Sequence, residues 1–186
     1  MRKAETVTFG GSGLDRAAHL RKDPAALAEA IERGRVLPVW RGKVLAGPEG
    51  ALAWLRPGDP ALALAREPLF LGLDGDRPRF AVDLSDWVPD AGAEAVQAGF
   101  TDMSVQRHPD LAPEVGFHEL RGLMARLSPR EAELAATARA LVQWHGSHGF
   151  CAACGQASKV AAGGWQRACP ACWPTRGSGP NASPAG

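Results

Sequence analysis

The hydrophobic pattern of the first 90 residues changes period several times, and each change marks an element. Asp23 and Pro24 read as the N-cap and first residue of a helix whose apolar face is Leu27, Ala30 and Ile31 and which Gly34 closes. Residues 36–40 and 43–45 are β-prone runs on either side of Arg41 and Gly42, a hairpin signal. Residues 52–55 form a further strand candidate, ended by Pro57 and Pro60. Residues 69–73 and 79–84 flank Asp74, Gly75 and Asp76, the clearest hairpin in the chain. A mostly antiparallel sheet with one helix follows. Trp40, Trp54 and Trp87 are assigned to its core and rim rather than to a platform for stacking bases, because they do not alternate with Lys or Arg.

Beyond Trp87 the pattern breaks up. Pro89, Gly92, Gly99, Pro109 and Pro113 predict a loop with one or two helical turns. Residues 117–127 carry Phe117, Leu120, Met124 and Leu127 near helical spacing and are expected to lay one face on the sheet. Ser128, Pro129 and Glu131 make a capping box with proline at the first helical position. The helix they start places Leu134, Ala138, Leu141, Val142 and His145 on one side and ends at Gly146. His108 and His118 lack partners at any ligand spacing and are taken as surface or capping residues.

All four cysteines fall in the next stretch, as two CxxC pairs separated by residues 155–168. Two such turns joined by a short hairpin bring four sulfurs to the corners of a tetrahedron, the arrangement of a closed structural zinc site. Cys151, Cys154, Cys169 and Cys172 are therefore the expected ligands of one structural Zn²⁺ ion. Disulfides and redox chemistry are the competing readings, but nothing suggests an oxidising compartment, and a redox CxxC stands alone beside a βαβ pattern. Four thiolates leave the ion no open position, so it holds structure and does no Lewis-acid work. Its binding energy, roughly 10 to 16 kcal/mol in zinc-finger peptides, would be this segment's main source of folding free energy. Gly155 can take the positive φ that the first turn requires, whereas Trp173 after the second pair resists it, so the second knuckle is expected to be looser. Gly163 and Gly164 read as the hairpin tip, with Trp165 offering an apolar face beside the metal. Trp144, His145 and His148 precede the first pair closely, and an imidazole N–H is expected to brace a sulfur or a backbone carbonyl rather than to ligate.

Composition adds limits. In 186 residues, 45% are hydrophobic and 22% charged, enough for one ordinary domain and a small appendage. A net charge of +1 implies no general affinity for nucleic acid. No Asp or Glu follows Glu133, while Arg139, Lys159, Arg167 and Arg176 do, which reads as a solvated ribbon surface offsetting the negative charge of its own metal site. Neither a signal peptide nor a run of about 20 apolar residues is seen, so no membrane contact and a cytoplasmic location are expected.

Residues 138–172, ARALVQWHGSHGFCAACGQASKVAAGGWQRACPAC, resemble the zinc-ribbon region of NADH pyrophosphatases, a branch of the Nudix hydrolases. The matching features are the Ala-Arg-Ala-Leu helix end, Trp144 with His145, His148 and Phe150 leading into CxxCG, Gly-Gly-Trp, and Arg167 before the second CPxC. Upstream, the 117–127 run with its capped helix resembles the family's connection from its N-terminal domain, a degenerate relative of the Nudix fold. The resemblance covers about residues 14–172. It implies a homodimer and a reaction that cleaves NAD(H) to nicotinamide mononucleotide and AMP, with NAD-capped RNA as a related substrate.

The family's next element is a Nudix box, G-x5-E-x7-REU-x-EE-x-GU, whose glutamates hold Mg²⁺ or Mn²⁺. Here residues 173–186 are a Gly/Pro/Ser/Ala tail without a carboxylate. Gly116, Arg130 and Glu131 have the box's separation, but Gly122, Leu134 and Ala135 stand where its glutamates belong, a coincidence on a structural helix. The expectation is an α+β chain: an N-terminal rudimentary Nudix-like domain over 1–125, a connecting helix over 126–148, a four-cysteine zinc ribbon over 149–173 and a disordered tail over 174–186. The catalytic domain is absent, Mg²⁺ or Mn²⁺ belongs only to full-length relatives, and the chain alone is inactive, cut short by truncation, frameshift or choice of boundaries. The rival expectation is a binding or dimerisation module in which exposed Trp165 and Trp173, with Arg167 and Arg176, contact a protein, a nucleic acid or a full-length relative.

Overall fold

A computed structural model describes residues 13–89 and 103–172, and shows an α+β architecture built on a five-stranded sheet. The strands are β1 (Arg35–Trp40), β2 (Lys43–Ala46), β3 (Leu69–Asp74), β4 (Arg77–Asp83) and β5 (Gly116–His118), in spatial order β3-β4-β1-β2-β5. Three neighbours pair antiparallel and one pair, β1 with β4, is parallel, so the sheet is mixed with antiparallel pairing in the majority. Both expected hairpins form. Arg41 and Gly42 turn between β1 and β2 with φ of 47° and 84°, and Gly75 turns between β3 and β4 with φ of 60°.

Strand β1 reads as an unbroken apolar run because both of its faces are covered. On one face Leu37 and Val39 join Leu45, Leu71 and Ala81 under α3 (Pro129–Ser147), which contributes Leu134, Ala135, Ala138, Leu141 and Val142. On the other, Val36, Phe70, Phe80 and Val82 meet α1 (Pro24–Glu32) through Ala30, Leu27 and Ile31. Alternation along each strand sorts the residues between the two layers. Pro38 has no N–H to give, and it sits between the Val36–Leu55 bridge and the Val39–Val44 pair. Asp23 caps α1 by accepting from Ala26 N at 3.0 Å, and Ser128 and Glu131 form the capping box of α3. Trp40 and Trp87 are buried core residues, 5.5 Å apart between ring centroids. Trp54 is half-buried, with the Arg79 guanidinium 4.6 Å over its ring.

Several expectations change. Residues 52–55 are not a strand: they touch β2 through Leu52 and then β1 through Leu55, as isolated bridges, because the segment crosses the sheet rather than running along one neighbour. The run from Phe117 is not helical from its start. Gly116–His118 is β5, paired with β2, and α2 (Leu120–Leu123) begins only where the Glu119 side chain accepts from Arg121 N. The reason is packing, since Phe117 is fully buried against Trp40 and Trp87 and fills the sheet face that the two indoles leave. His108 is buried rather than superficial. Its ring lies 4.6 Å from that of Trp87, and Nδ1 accepts from Asp110 N, so its capping role holds. Of the loop expected after Trp87, residues 90–102 lie outside the described residues, and 103–112 hold no helix but one turn, closed by Leu111 N donating to His108 O at 3.1 Å. Helix α3 ends at Ser147, one residue later than expected.

Replacing Phe117 with Ala is expected to lower the unfolding free energy by about 3 to 5 kcal/mol, whereas Ser128→Ala removes only the cap and lowers it by about 1 kcal/mol. Urea denaturation of the two variants beside the parent chain checks the ratio.

Candidate metal centre

The second sheet is a two-stranded hairpin, β6 (Lys159–Ala161) and β7 (Gln166–Ala168), paired antiparallel from Lys159–Ala168 to Ala161–Gln166. It lies between two cysteine turns, the first of which follows α3. In the first, Cys151 N donates to Gln156 O and Gly155 N to Cys151 O, each at 2.8 Å, and Gly155 takes a φ of 72° as the turn requires. In the second, Cys172 N donates to Cys169 O at 3.2 Å. Trp173, on which the expected looseness of this turn depends, lies outside the described residues, as does the tail at 174–186.

All four sulfurs lie within 4.8 Å of one another, and no disulfide joins them. Cys154 Sγ and Cys169 Sγ are 3.5 Å apart, close to the tetrahedral edge of about 3.8 Å implied by Zn–S bonds of about 2.3 Å. Four soft donors at this spacing, each able to become a thiolate, fit zinc. Electrostatics says the same. Backbone N–H groups of Ala153 and Cys154 pull the Cys151 thiol down to about 7. Hydrogen bonding to Cys154, desolvation and the remaining thiols push Cys172 up to about 12. A thiolate at Cys151 thus disfavours one at Cys172, and a cation bound between them would relieve that repulsion.

A hydrogen-bonded brace holds the hairpin beside this quartet. His145, on the last turn of α3, has Nε2 2.8 Å from Gly164 O and Nδ1 2.8 Å from Arg167 Nη1. Since Arg167 can only donate, Nδ1 accepts and Nε2–H donates, which fixes a neutral imidazole. The expected support of a backbone carbonyl by an imidazole is therefore made by His145. Arg167 also donates from Nε to Ser158 Oγ and from Nη2 to Ser158 O, both at 2.7 Å. It is an internal tie and not the solvated surface charge expected from composition. His148 caps α3 and shares a 2.8 Å contact with Ser147 Oγ.

Trp165, which the rival expectation takes as exposed, is half-buried. Its Nε1–H donates to Phe70 O at 2.6 Å, and the Arg21 guanidinium lies 3.8 Å over its ring. The hairpin tip seats on the sheet domain. Gly164 is buried at φ 94°, and a Cβ there would fall 2.7 Å from Leu69 Cδ2. The pairing of Gly163 and Gly164 signalled a bend, but nothing local to Arg167, Ser158 or Trp165 signalled partners as distant in sequence as Phe70.

A mixed-sheet domain that carries a four-cysteine ribbon on its last helix defines a small structural class, and the comparisons place the chain within it. Residues 33–144 match the NADH pyrophosphatase-like rudimentary NUDIX domain, and residues 147–172 match the NADH pyrophosphatase zinc ribbon domain. The chain belongs to the NADH pyrophosphatase-like Nudix family. It is 35% identical over 77 residues to human mitochondrial NAD(P)H pyrophosphatase NUDT13, a match covering 40% of this chain and 22% of that protein. With human NAD-capped RNA hydrolase NUDT12 it shares 39% identity over 46 residues, 25% of this chain and 10% of that protein. The chain thus matches less than a quarter of the length of either relative. Among the described residues, no helix is long and apolar enough to cross a membrane.

Burial, and then the neighbouring Arg167 charge, hold the His145 imidazole below its ordinary range, against the pull of its bond to Gly164 O. The unfolded chain, with an ordinary imidazole at about 6.5, takes up the proton first, so stability is lost as pH falls below that value toward the lowered one. His145→Gln lacks this uptake. The stability difference between parent and variant is expected to shrink as pH falls from about 7 to 5, as checked by parallel denaturation at each pH.

Proposed function

We propose that this chain is the N-terminal rudimentary domain and zinc ribbon of an NADH pyrophosphatase-like Nudix hydrolase, with Cys151, Cys154, Cys169 and Cys172 holding one structural Zn²⁺. The family reaction converts NAD(H) and water to NMN(H) and AMP. The observation that carries this reading is the convergence of four cysteine sulfurs within 4.8 Å on the segment that matches the family's zinc ribbon. The same reading divides the chain into an N-terminal domain over 1–125, a connecting helix over 126–148 and a ribbon over 149–173. A cytoplasmic homodimer, or pairing with a full-length relative, belongs to the same proposal, as do NAD(H) and NAD-capped RNA as the substrates of the assembled enzyme.

These 186 residues do not hydrolyse the dinucleotide by themselves. They contain no Nudix box, and the carboxylates nearest to its pattern serve the fold. Glu131 closes the capping box and accepts from Leu52 N at 3.1 Å. Glu119 pairs with Arg139 at 3.1 Å, and Glu133 pairs with Arg16. Asp74, held below the usual carboxylate range chiefly by its hydrogen bond to Arg79, also pairs with Arg130. In a Nudix site such groups would instead gather around Mg²⁺ or Mn²⁺ to polarise the pyrophosphate and activate water.

The purified chain is expected to carry one zinc ion, by metal analysis, and Cys154→Ser together with Cys169→Ser to carry none. With Mn²⁺ and NADH it is expected to release no NMNH. Dose-dependent release would sink the inactive reading, and a zinc-free parent chain would sink the metal assignment.

A further inference from the structure

The hairpin that spaces the two cysteine turns is clamped at its tip by the sheet domain. Trp165 Nε1–H reaches Phe70 O of β3 at 2.6 Å, and Gly164 lies too close to Leu69 to admit even a Cβ. On the metal side, β6 and β7 must pair in register for the two turns to meet, since Cys169 directly follows the Lys159–Ala168 pair. His145 links the two ends, because it holds Gly164 at the tip and Arg167 in β7 at once. The hairpin register that gathers the sulfurs is thus the register that seats the tip on β3.

We propose that metal binding at the four cysteines and the packing of edge strand β3 are thermodynamically coupled through the Trp165 clamp. The metal stabilises the N-terminal domain, and the domain preorganises the metal site. Linkage makes the two effects equal in size. The coupling rests on the zinc assignment above.

Hydrogen exchange of the full chain, read by mass spectrometry on peptides covering Phe70 and Leu71, tests it with zinc added and after chelation, once zinc content has been measured. Amides that exchange only when the clamp opens should slow by up to about a thousandfold at free zinc a thousand times its Kd. Trp165→Ala removes the clamp, and Trp165→Phe keeps an aromatic ring but not the N–H, so the proposal stays testable if the first variant does not fold. The expected result is one zinc per chain throughout, with zinc protection at Phe70 largest in the parent, smaller in Trp165→Phe and smallest in Trp165→Ala. One bound zinc with no change at Phe70 on chelation overturns the coupling and leaves the assignment standing. Equal protection in the parent and the variants overturns the role of Trp165. A chain that binds no zinc overturns both.

Discussion

The outer edge of β3 is where this molecule is held together. An edge strand presents unpaired backbone groups, and a protein must cover them or risk strand addition by another chain. Here a register shift between Phe70 and Gly72 leaves Leu71 without a partner on β4. A bulge of this kind turns successive backbone groups off the ladder. Phe70 O accepts from Trp165 and Leu71 O from Arg16, at 2.6 and 3.4 Å. Gly72 completes the arrangement with a φ of 139°, close enough to the Asp15 backbone that a Cβ would lie 2.4 Å from its carbonyl oxygen. Asp15 and Leu73 then exchange two backbone hydrogen bonds, so the segment ahead of α1 and the ribbon share one edge.

Helix α3 explains why both can reach that edge. It packs its apolar stripe on the sheet, and Glu133 on its first half pairs with Arg16 while His145 on its last turn bonds Gly164 and Arg167. The helix is thus a ruler between the N-terminal segment and the ribbon. Its capping box fixes where the ruler starts, which in turn fixes the rotation at which His145 emerges at the far end, given about 3.6 residues per turn. The connecting helix is therefore part of the support of the cysteine site as much as of the sheet.

What could be read from sequence was whatever local chemistry decides. The two hairpins follow from turn residues that tolerate positive φ, the caps of α1 and α3 from side chains three residues from their targets, and the sulfur quartet from CxxC spacing. Each is settled within a few residues or one loop. The family resemblance, carried by the 138–172 motifs, likewise agreed with the matches at 33–144 and 147–172. What could not be read depends on distant partners. Phe117 has helical neighbours at the right spacing, yet it is a strand residue because Trp40 and Trp87 leave space for it and β2 has a free side. Trp165 looked exposed because a ribbon has no interior of its own, and only the fold brings Phe70 and Arg21 to it. His108 looked isolated because its partner, Trp87, is a ring and not a ligand.

This difference bears on what the N-terminal domain does. A ribbon of some two dozen residues buries too little apolar surface to order itself, so metal binding must supply most of its folding free energy. Metal alone, however, fixes only the sulfur end of the hairpin. The tip, with Ala162, Gly163 and Gly164 all at positive φ, would be free to move about it if nothing else held it. The sheet domain supplies that second point of attachment through backbone acceptors and close glycine contacts. In such an arrangement the sheet domain, through α3 and β3, sets the direction in which the ribbon leaves α3.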